Sequence, residues 1–296
     1  MSISQPPDRL RQGRAEPRAM SAAPLHDYSR LCIHTMTTKP WAVDEAAARY
    51  AEAGLGGITV WRNSYNGLTP RQVGESVRVE GLELVSLVRG GFFPAADPAG
   101  QRDAIDDNKR IIDEAAEMGA PLVVLVPGAL PEQSLQSSRS QIHDGLAAVL
   151  PYAEAAGVKL GIEPLHPMYA DNRSAVNTLG HANDIAEAFD SAFLGVVVDV
   201  YHLWWDPNLE REIARCGAGG NLLAYHVCDW RTPTEDLLVD RGLMGEGCIP
   251  LRQIRGWVEE AGFDGYIEVE IFSERYWDMD QSDYLKHIQD ATLAHV

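Results

Sequence analysis

The feature that most constrains the fold of this sequence is a regular alternation of short β-branched runs with longer helical segments, beginning near residue 29. Such alternation is the pattern of parallel strands joined by crossover helices. Eight strands are predicted, at residues 30–35, 57–61, 83–88, 122–126, 159–163, 195–199, 222–227 and 266–271. Because 296 residues suit one barrel better than two ordinary domains, we predict a single α/β domain, a (β/α)₈ TIM barrel, over residues 28–296.

Helical patterns occupy the segments between these strands, for example residues 43–53, 101–118, 142–156, 178–189 and 251–261. Four glycines follow such patterns, where a residue that tolerates positive φ ends a helix: Gly54, Gly119, Gly157 and Gly262. No G-x-G-x-x-G motif follows the first strand, so the sequence does not favour a dinucleotide-binding domain.

Composition limits the partners and the compartment. The 25 Lys and Arg residues against 43 Asp and Glu give a net charge of −18, which disfavours nucleic acid. No apolar run reaches the length of about 18 residues that a membrane span needs. The four cysteines form no C-x-x-C pair and no framework typical of small secreted domains. We therefore predict a cytoplasmic protein with reduced thiols and no membrane or nucleic-acid partner.

The first 27 residues differ in composition from the rest of the chain. They contain four prolines and four arginines and lack the apolar segment of a secretory signal. We predict that residues 1–27 are a disordered N-terminal extension, and Met20 is an alternative translation start within it.

Polar residues end four consecutive predicted strands: Glu163, Asp199, His226 and Glu270. The carboxyl ends of barrel strands meet at one mouth, so these side chains are expected to surround a common point. Val197 and Ala224, two residues upstream of Asp199 and His226, should face the same barrel interior. Taken singly, each of the four is equally explained as a helix cap, an ion-pair partner or a satisfied buried polar group.

Together, the four favour a metal site, because clustered carboxylates repel one another without a cation. Three carboxylates and an imidazole suit one divalent ion, Mn²⁺ first, with Mg²⁺, Co²⁺ or Zn²⁺ as alternatives. Such an ion would hold two neighbouring sugar oxygens and stabilise an enediolate. Glu163 and Glu270 would then be the catalytic pair, one removing a proton and the other acting at the opposite face.

At these residues the sequence resembles the xylose-isomerase-like barrel superfamily, within it the sugar phosphate isomerase/epimerase group of ketose 3-epimerases and hydroxypyruvate isomerases. The resemblance spans about residues 28–290, and its markers are GIEPLHP, VVDVYHLWW, HVCDWR and IEVEIF. It implies metal binding by the same four residues and acid/base work by the two glutamates. It also implies that His202 and Arg231 contact substrate oxygens.

Further residues near strand ends could complete a substrate pocket: His166, His34, Trp61, Arg62 and Arg89. Aromatic faces pack on sugar rings, and arginine binds anionic or hydroxyl oxygens. Each has an alternative, since His166 could be an ordinary loop histidine, Trp61 a core residue, and Arg62 and Arg89 partners of the abundant acids.

We expect a metal-dependent isomerase or epimerase acting on a small keto sugar or sugar phosphate. The alternative is a lyase or hydratase on 3-keto sugars or glycosides, including C-glycoside cleavage, because an enediolate with a β-leaving group can eliminate. A nuclease is disfavoured by the charge of −18, and a non-catalytic sugar-binding barrel by the complete ligand set. Exposed aromatic loops make a homodimer or homotetramer plausible.

Overall fold

A closed barrel of eight parallel strands forms the centre of residues 22–296, the part of the chain that the structure, a computed structural model, describes. The strands are β1 (Leu31–His34), β2 (Gly57–Trp61), β3 (Glu83–Gly91), β4 (Leu122–Val126), β5 (Lys159–Ile162), β6 (Leu194–Asp199), β7 (Leu222–Val227) and β10 (Ile267–Val269). Two short strands, β8 (Asp229–Trp230) and β9 (Arg241–Gly242), pair antiparallel outside the barrel. The barrel closes where β1 pairs with both β2 and β10, which confirms the predicted fold class.

Helices follow the barrel strands and cover their outer face. They are α1 (Val43–Glu52), α2 (Pro70–Val79), α3 (Pro98–Met118), α4 (Leu135–Ala156), α5 (Leu179–Phe189), α6 (Val200–Leu203), α7 (Leu209–Ala218), α8 (Leu251–Glu260), α9 (Glu274–Trp277) and α10 (Gln281–His295). The predicted glycine stops are confirmed, with φ between 71° and 92° at all four positions. Within residues 22–296, none of the helices combines the length and the apolar content that crossing a membrane requires.

The apolar core has two parts. The larger lies between strands and helices, and a smaller one fills the barrel interior with Val88, Leu122, Val124, Val197 and Ala224. Val197 and Ala224 are paired in register and lie inside, as their spacing from the strand-end polar residues predicts. This packed interior is the floor beneath the polar mouth.

The ends of two strands differ from the sequence prediction by two or three residues, and the other barrel-strand boundaries agree to within one residue. Strand β3 continues to Gly91, so Arg89 lies within it and not after it. The last barrel strand is only three residues long, and Glu270 follows it directly. The pair β8 and β9 was not predicted, because two-residue strands lack a detectable hydrophobic period.

The predicted extension lies mainly outside the described residues. Of its last six residues, Ala22 donates its backbone N–H to Arg252 O at 3.2 Å, and Leu25 packs against the main core. Contacts with the barrel therefore begin before residue 28.

Asn108 on α3 fixes the end of β3. Its side chain accepts from the N–H of Gly91 at 2.7 Å and donates to the carbonyl oxygens of Gly91 and Ala104, both at 2.8 Å. Gly91 itself has φ 96°, and a Cβ there would lie 1.9 Å from Val126 O. The backbone at the strand end therefore has a conformation that favours glycine, and it lies too close to Val126 for a side chain to fit.

Replacing Asn108 with Ala should lower the free energy of unfolding by about 2–4 kcal/mol, because the buried polar groups of Gly91 lose their partners. Urea denaturation monitored by circular dichroism measures the change. Asn208→Ala is the matched control, since Asn208 is exposed and its side chain makes no capping hydrogen bond. Equal stability of the two variants would contradict this role of Asn108.

Candidate active site

The four predicted ligands meet at the carboxyl ends of β5, β6, β7 and β10. Asp199 and His226 are register partners on neighbouring strands, and Glu163 and Glu270 directly follow theirs. All four side chains are buried. One ligand atom from each residue can be chosen so that all of these atoms lie within 4.8 Å of one another.

The donor set fits a divalent cation. His226 Nδ1 lies 3.1 Å from Glu163 Oε1, so this nitrogen faces the carboxylates. Asp199 Oδ2 is buried and receives no hydrogen bond from the described residues. An oxygen-rich, anionic cluster with a free buried acceptor is the environment that divalent ions require.

The pKa values show an excess of negative charge in this cluster. Burial, opposed by Arg241 but reinforced by Glu270 and Glu163, raises the pKa of Asp199 to about 7. Burial alone would lower the pKa of His226, but the carboxylates of Glu268, Glu163 and Glu270 raise it to about 10. Both groups therefore tend to keep a proton. A metal ion that displaced these protons would supply positive charge in their place.

Arg241 on β9 supplies the permanent positive charge of the cluster, and the sequence prediction did not include it. Its Nη1 lies 2.6 Å from Glu270 Oε2 and 3.5 Å from Asp199 Oδ2. The guanidinium also lies over the rings of Tyr201 and Phe272, at 4.4 and 4.9 Å from their centroids. Arg241 lies on a two-residue strand between β7 and α8, outside the barrel strands, so a search along the predicted strands had no signal for it.

A second layer of polar groups lies beneath the ligands. Glu268 Oε2 accepts from Thr59 Oγ1 at 2.6 Å, pairs with His34 Nε2 at 3.1 Å and lies 3.8 Å from His226 Nε2. His34 Nδ1 in turn lies 3.1 Å from Glu270 Oε1. Carboxylates behind a ligating histidine orient the ring and raise its basicity.

This layer corrects the expectation for His34. The ring is fully buried beneath the ligand group and does not line the cavity, so the structure places it behind Glu270. Glu268 was missed, although the two-residue spacing from Glu270 places both on one face of the strand.

A cavity of about 460 Å³ opens beside the ligands. Of the predicted substrate residues, His202, Trp61, Arg62 and Arg89 line it, together with Glu163 and Glu270. His202 Nε2 lies 3.6 Å from Asp199 Oδ2, and Trp61 packs edge-on against Phe272. Arg62 is already paired with Asp107 and Glu114, as its alternative interpretation anticipated.

Two further predicted residues lie away from the cavity lining. Arg231 forms an ion pair with Asp240. His166 accepts from the N–H of Met168 at 3.2 Å and packs between Trp205 and Trp230. The structure therefore places Arg241, and not Arg231, beside the ligands, and gives His166 a loop-stabilising position.

Comparison with known proteins agrees with this architecture. The model of the xylose isomerase-like TIM barrel family matches residues 47–292. The chain belongs to this family. The resemblance recognised from the four strand-end motifs is thereby confirmed.

Two curated relatives are enzymes with different reactions. Inosose isomerase of Halalkalibacterium halodurans is 28% identical over 226 residues, covering 74% of this chain and 76% of the relative. A 3-dehydroshikimate dehydratase of Pseudomonas aeruginosa is 27% identical over 247 residues, covering 76% of this chain and 35% of the relative.

Two solved structures share the barrel. Protein SMc04130 of Sinorhizobium meliloti 1021 is 47% identical, with a TM-score of 0.86, and the match covers 88% of this chain and 96% of that one. The IolI protein, solved with a bound zinc atom, is 21% identical with a TM-score of 0.76, covering 90% and 97%. At that identity the second match shows the fold alone.

Asp199→Asn should weaken divalent-metal binding by about 10- to 100-fold, because it removes a charged oxygen from the donor set. Calorimetric titration of chelator-stripped protein with Mn²⁺ measures this, with circular dichroism to verify folding. Asp103→Asn, an exposed change on α3, is the control and should bind normally. Unaltered Mn²⁺ affinity in Asp199→Asn would show that the cluster is not the metal site.

Proposed function

We propose that this enzyme is a divalent-metal-dependent isomerase or epimerase of small keto sugars or related polyhydroxy ketones. The observation that carries the proposal is the pair Glu163 and Glu270, which line one cavity from the two ends of a four-residue ligand set. A bound divalent ion would supply Lewis-acid stabilisation of negative charge on adjacent substrate oxygens.

Glu270 would be the group that removes a proton. Although burial raises its pKa, the charge of Arg241 and the hydrogen bond from His34 bring the pKa well below the usual range. The carboxylate is therefore ionised at neutral pH and held in place at both oxygens. It would take a proton from the carbon beside the substrate carbonyl to give an enediolate.

Glu163 would act on the opposite face. It would return a proton to the enediolate, so that transfer to a different carbon gives an isomer and transfer to the other face gives an epimer. His202 and Arg241, which line the same cavity, would donate hydrogen bonds to substrate oxygens.

A dehydratase or other lyase is the second candidate, since one curated relative is a dehydratase. The same enediolate would then lose a β-hydroxyl group as water, with a carboxylic acid as the proton donor. The two reactions share the deprotonation and differ only in the fate of the enediolate.

Incubating the Mn²⁺-loaded protein with inosose and ketohexoses in D₂O separates the candidates. Epimerisation or isomerisation should place solvent deuterium on carbon without loss of water, as read by NMR and mass spectrometry. Products 18 mass units lighter, before deuterium is counted, would instead identify a dehydratase. Absence of both exchange and elimination from every substrate tested would contradict the proposed class.

Glu270→Gln should reduce turnover by about 10²–10⁴-fold, because the amide cannot accept the proton. Sugar binding should persist, since the amide keeps one oxygen donor, and calorimetry checks this separately from the rate. Glu274→Gln, an exposed change at the start of α9, is the control. Turnover in Glu270→Gln equal to that of the control would refute the assigned role.

A further inference from the structure

The cavity beside the ligand group has a basic lining in addition to Arg241. Three arginines line it: Arg62, Arg89 and Arg173. Arg62 is neutralised, with Nη2 2.6 Å from Glu114 Oε1 and Nη1 3.2 Å from Asp107 Oδ1. The other two differ from it in having no such partner.

Arg89 and Arg173 are unpaired guanidiniums in one cavity. Neither side chain forms an ion pair or a hydrogen bond with any residue between 22 and 296. Both are half-buried. Burial, followed by the charge of Arg173, lowers the pKa of Arg89, while the carboxylates of Glu163 and Asp107 act in the opposite direction. The two guanidiniums therefore lie close enough to repel.

Aromatic rings support both cations. The Arg89 guanidinium lies 4.1 Å from the ring centroid of Phe92, and that of Arg173 lies 5.6 Å from the ring of Tyr169. A ring face beneath a guanidinium orients the group and leaves the in-plane N–H donors available. The donors of both arginines are thus unused although the groups are held in place.

The support is built into the fold at some cost. Phe92 has φ 51°, a left-handed conformation that is strained for a bulky residue. Its ring joins a small apolar cluster of Val126, Leu165 and Tyr169. Both rings therefore belong to one cluster, which fixes the two guanidiniums relative to each other.

The protein as a whole repels anions, since its net charge is −18. Two half-buried cations without a hydrogen-bonded acidic partner are costly unless a ligand supplies further negative charge. The cavity is therefore lined both by the carboxylates of Glu163 and Glu270 and by two guanidiniums that have no hydrogen-bonded acidic partner.

We propose that Arg89 and Arg173 form an anion subsite, which binds the carboxylate or phosphate group of a keto substrate whose reacting carbons lie beside Glu163 and Glu270. This inference rests on the proposed function for the reacting end and adds the substrate class. Carboxylate and phosphate share the planar, bidentate recognition that arginine provides.

Calorimetry on the Mn²⁺-loaded full chain tests the subsite with three probes: D-fructose, D-fructose 6-phosphate and 5-keto-D-gluconate. At least one anionic probe should bind about tenfold more tightly than D-fructose, a difference typical of charge-assisted hydrogen bonds. Whichever anion shows the gain identifies the source, phosphate or carboxylate.

Arg89→Gln and Arg173→Gln should each reduce that gain, and the double variant should abolish it to within about twofold, while D-fructose affinity stays nearly constant. Arg49→Gln is the control, because Arg49 is an exposed arginine on α1 paired with Glu52. Thermal unfolding checks folding, and the Arg173 variant serves alone if the Arg89 variant is unstable.

Equal or absent binding of both anions relative to D-fructose overturns the subsite, as does an equal loss for all three probes in the arginine variants. Failure of the proposed function has a different signature, namely no solvent deuterium and no elimination with any keto substrate. The subsite proposal alone is contradicted if a neutral ketose exchanges deuterium as fast as the anionic substrates and both arginine variants keep these rates. The proposed function would then still stand.

Discussion

Burial of four carboxylates at one end of the barrel is the constraint on which the rest of the site depends. Glu163, Asp199, Glu268 and Glu270 are each at most 4% exposed. Like charges so confined are unstable unless cations compensate them. Arg241 and the histidines His34 and His226 provide part of that charge, and the geometry of the remaining donors suits a divalent ion.

Rigid strands and loops have different tasks in this arrangement. The strand ends set the spacing of the four ligands, because neighbouring parallel strands have a fixed register. The β8–β9 pair then brings Arg241 back over the mouth, where it contacts Glu270 directly. Beneath the ligands, Glu268 lies next to His226 and His34 lies next to Glu270. A substitution of Glu268 or His34 should therefore change the orientation of a ligand side chain without removing a group from the cavity lining.

In the proposed reaction the cavity has two recognition tasks. The ligand group would bind hydroxyl and carbonyl oxygens, and Arg89 and Arg173, which line the same cavity, would bind an anion. Contacts with both groups would orient the substrate and place one particular carbon beside the glutamates. A single barrel family can thus serve isomerases and dehydratases, because residues away from the reacting centre decide which molecule enters.

The sequence by itself determined the barrel, the glycine helix stops and the strand-end positions of Glu163, Asp199, His226 and Glu270, because these follow from local periodicity and from strand ends meeting at one mouth. Only the tertiary structure decided the rest. Arg241 and Arg173 reach the cavity through loops without periodic pattern, whereas Arg231, His166 and His34 turn to other partners. Ion pairs and packing with residues distant in sequence decide which side chains line a pocket formed by loops.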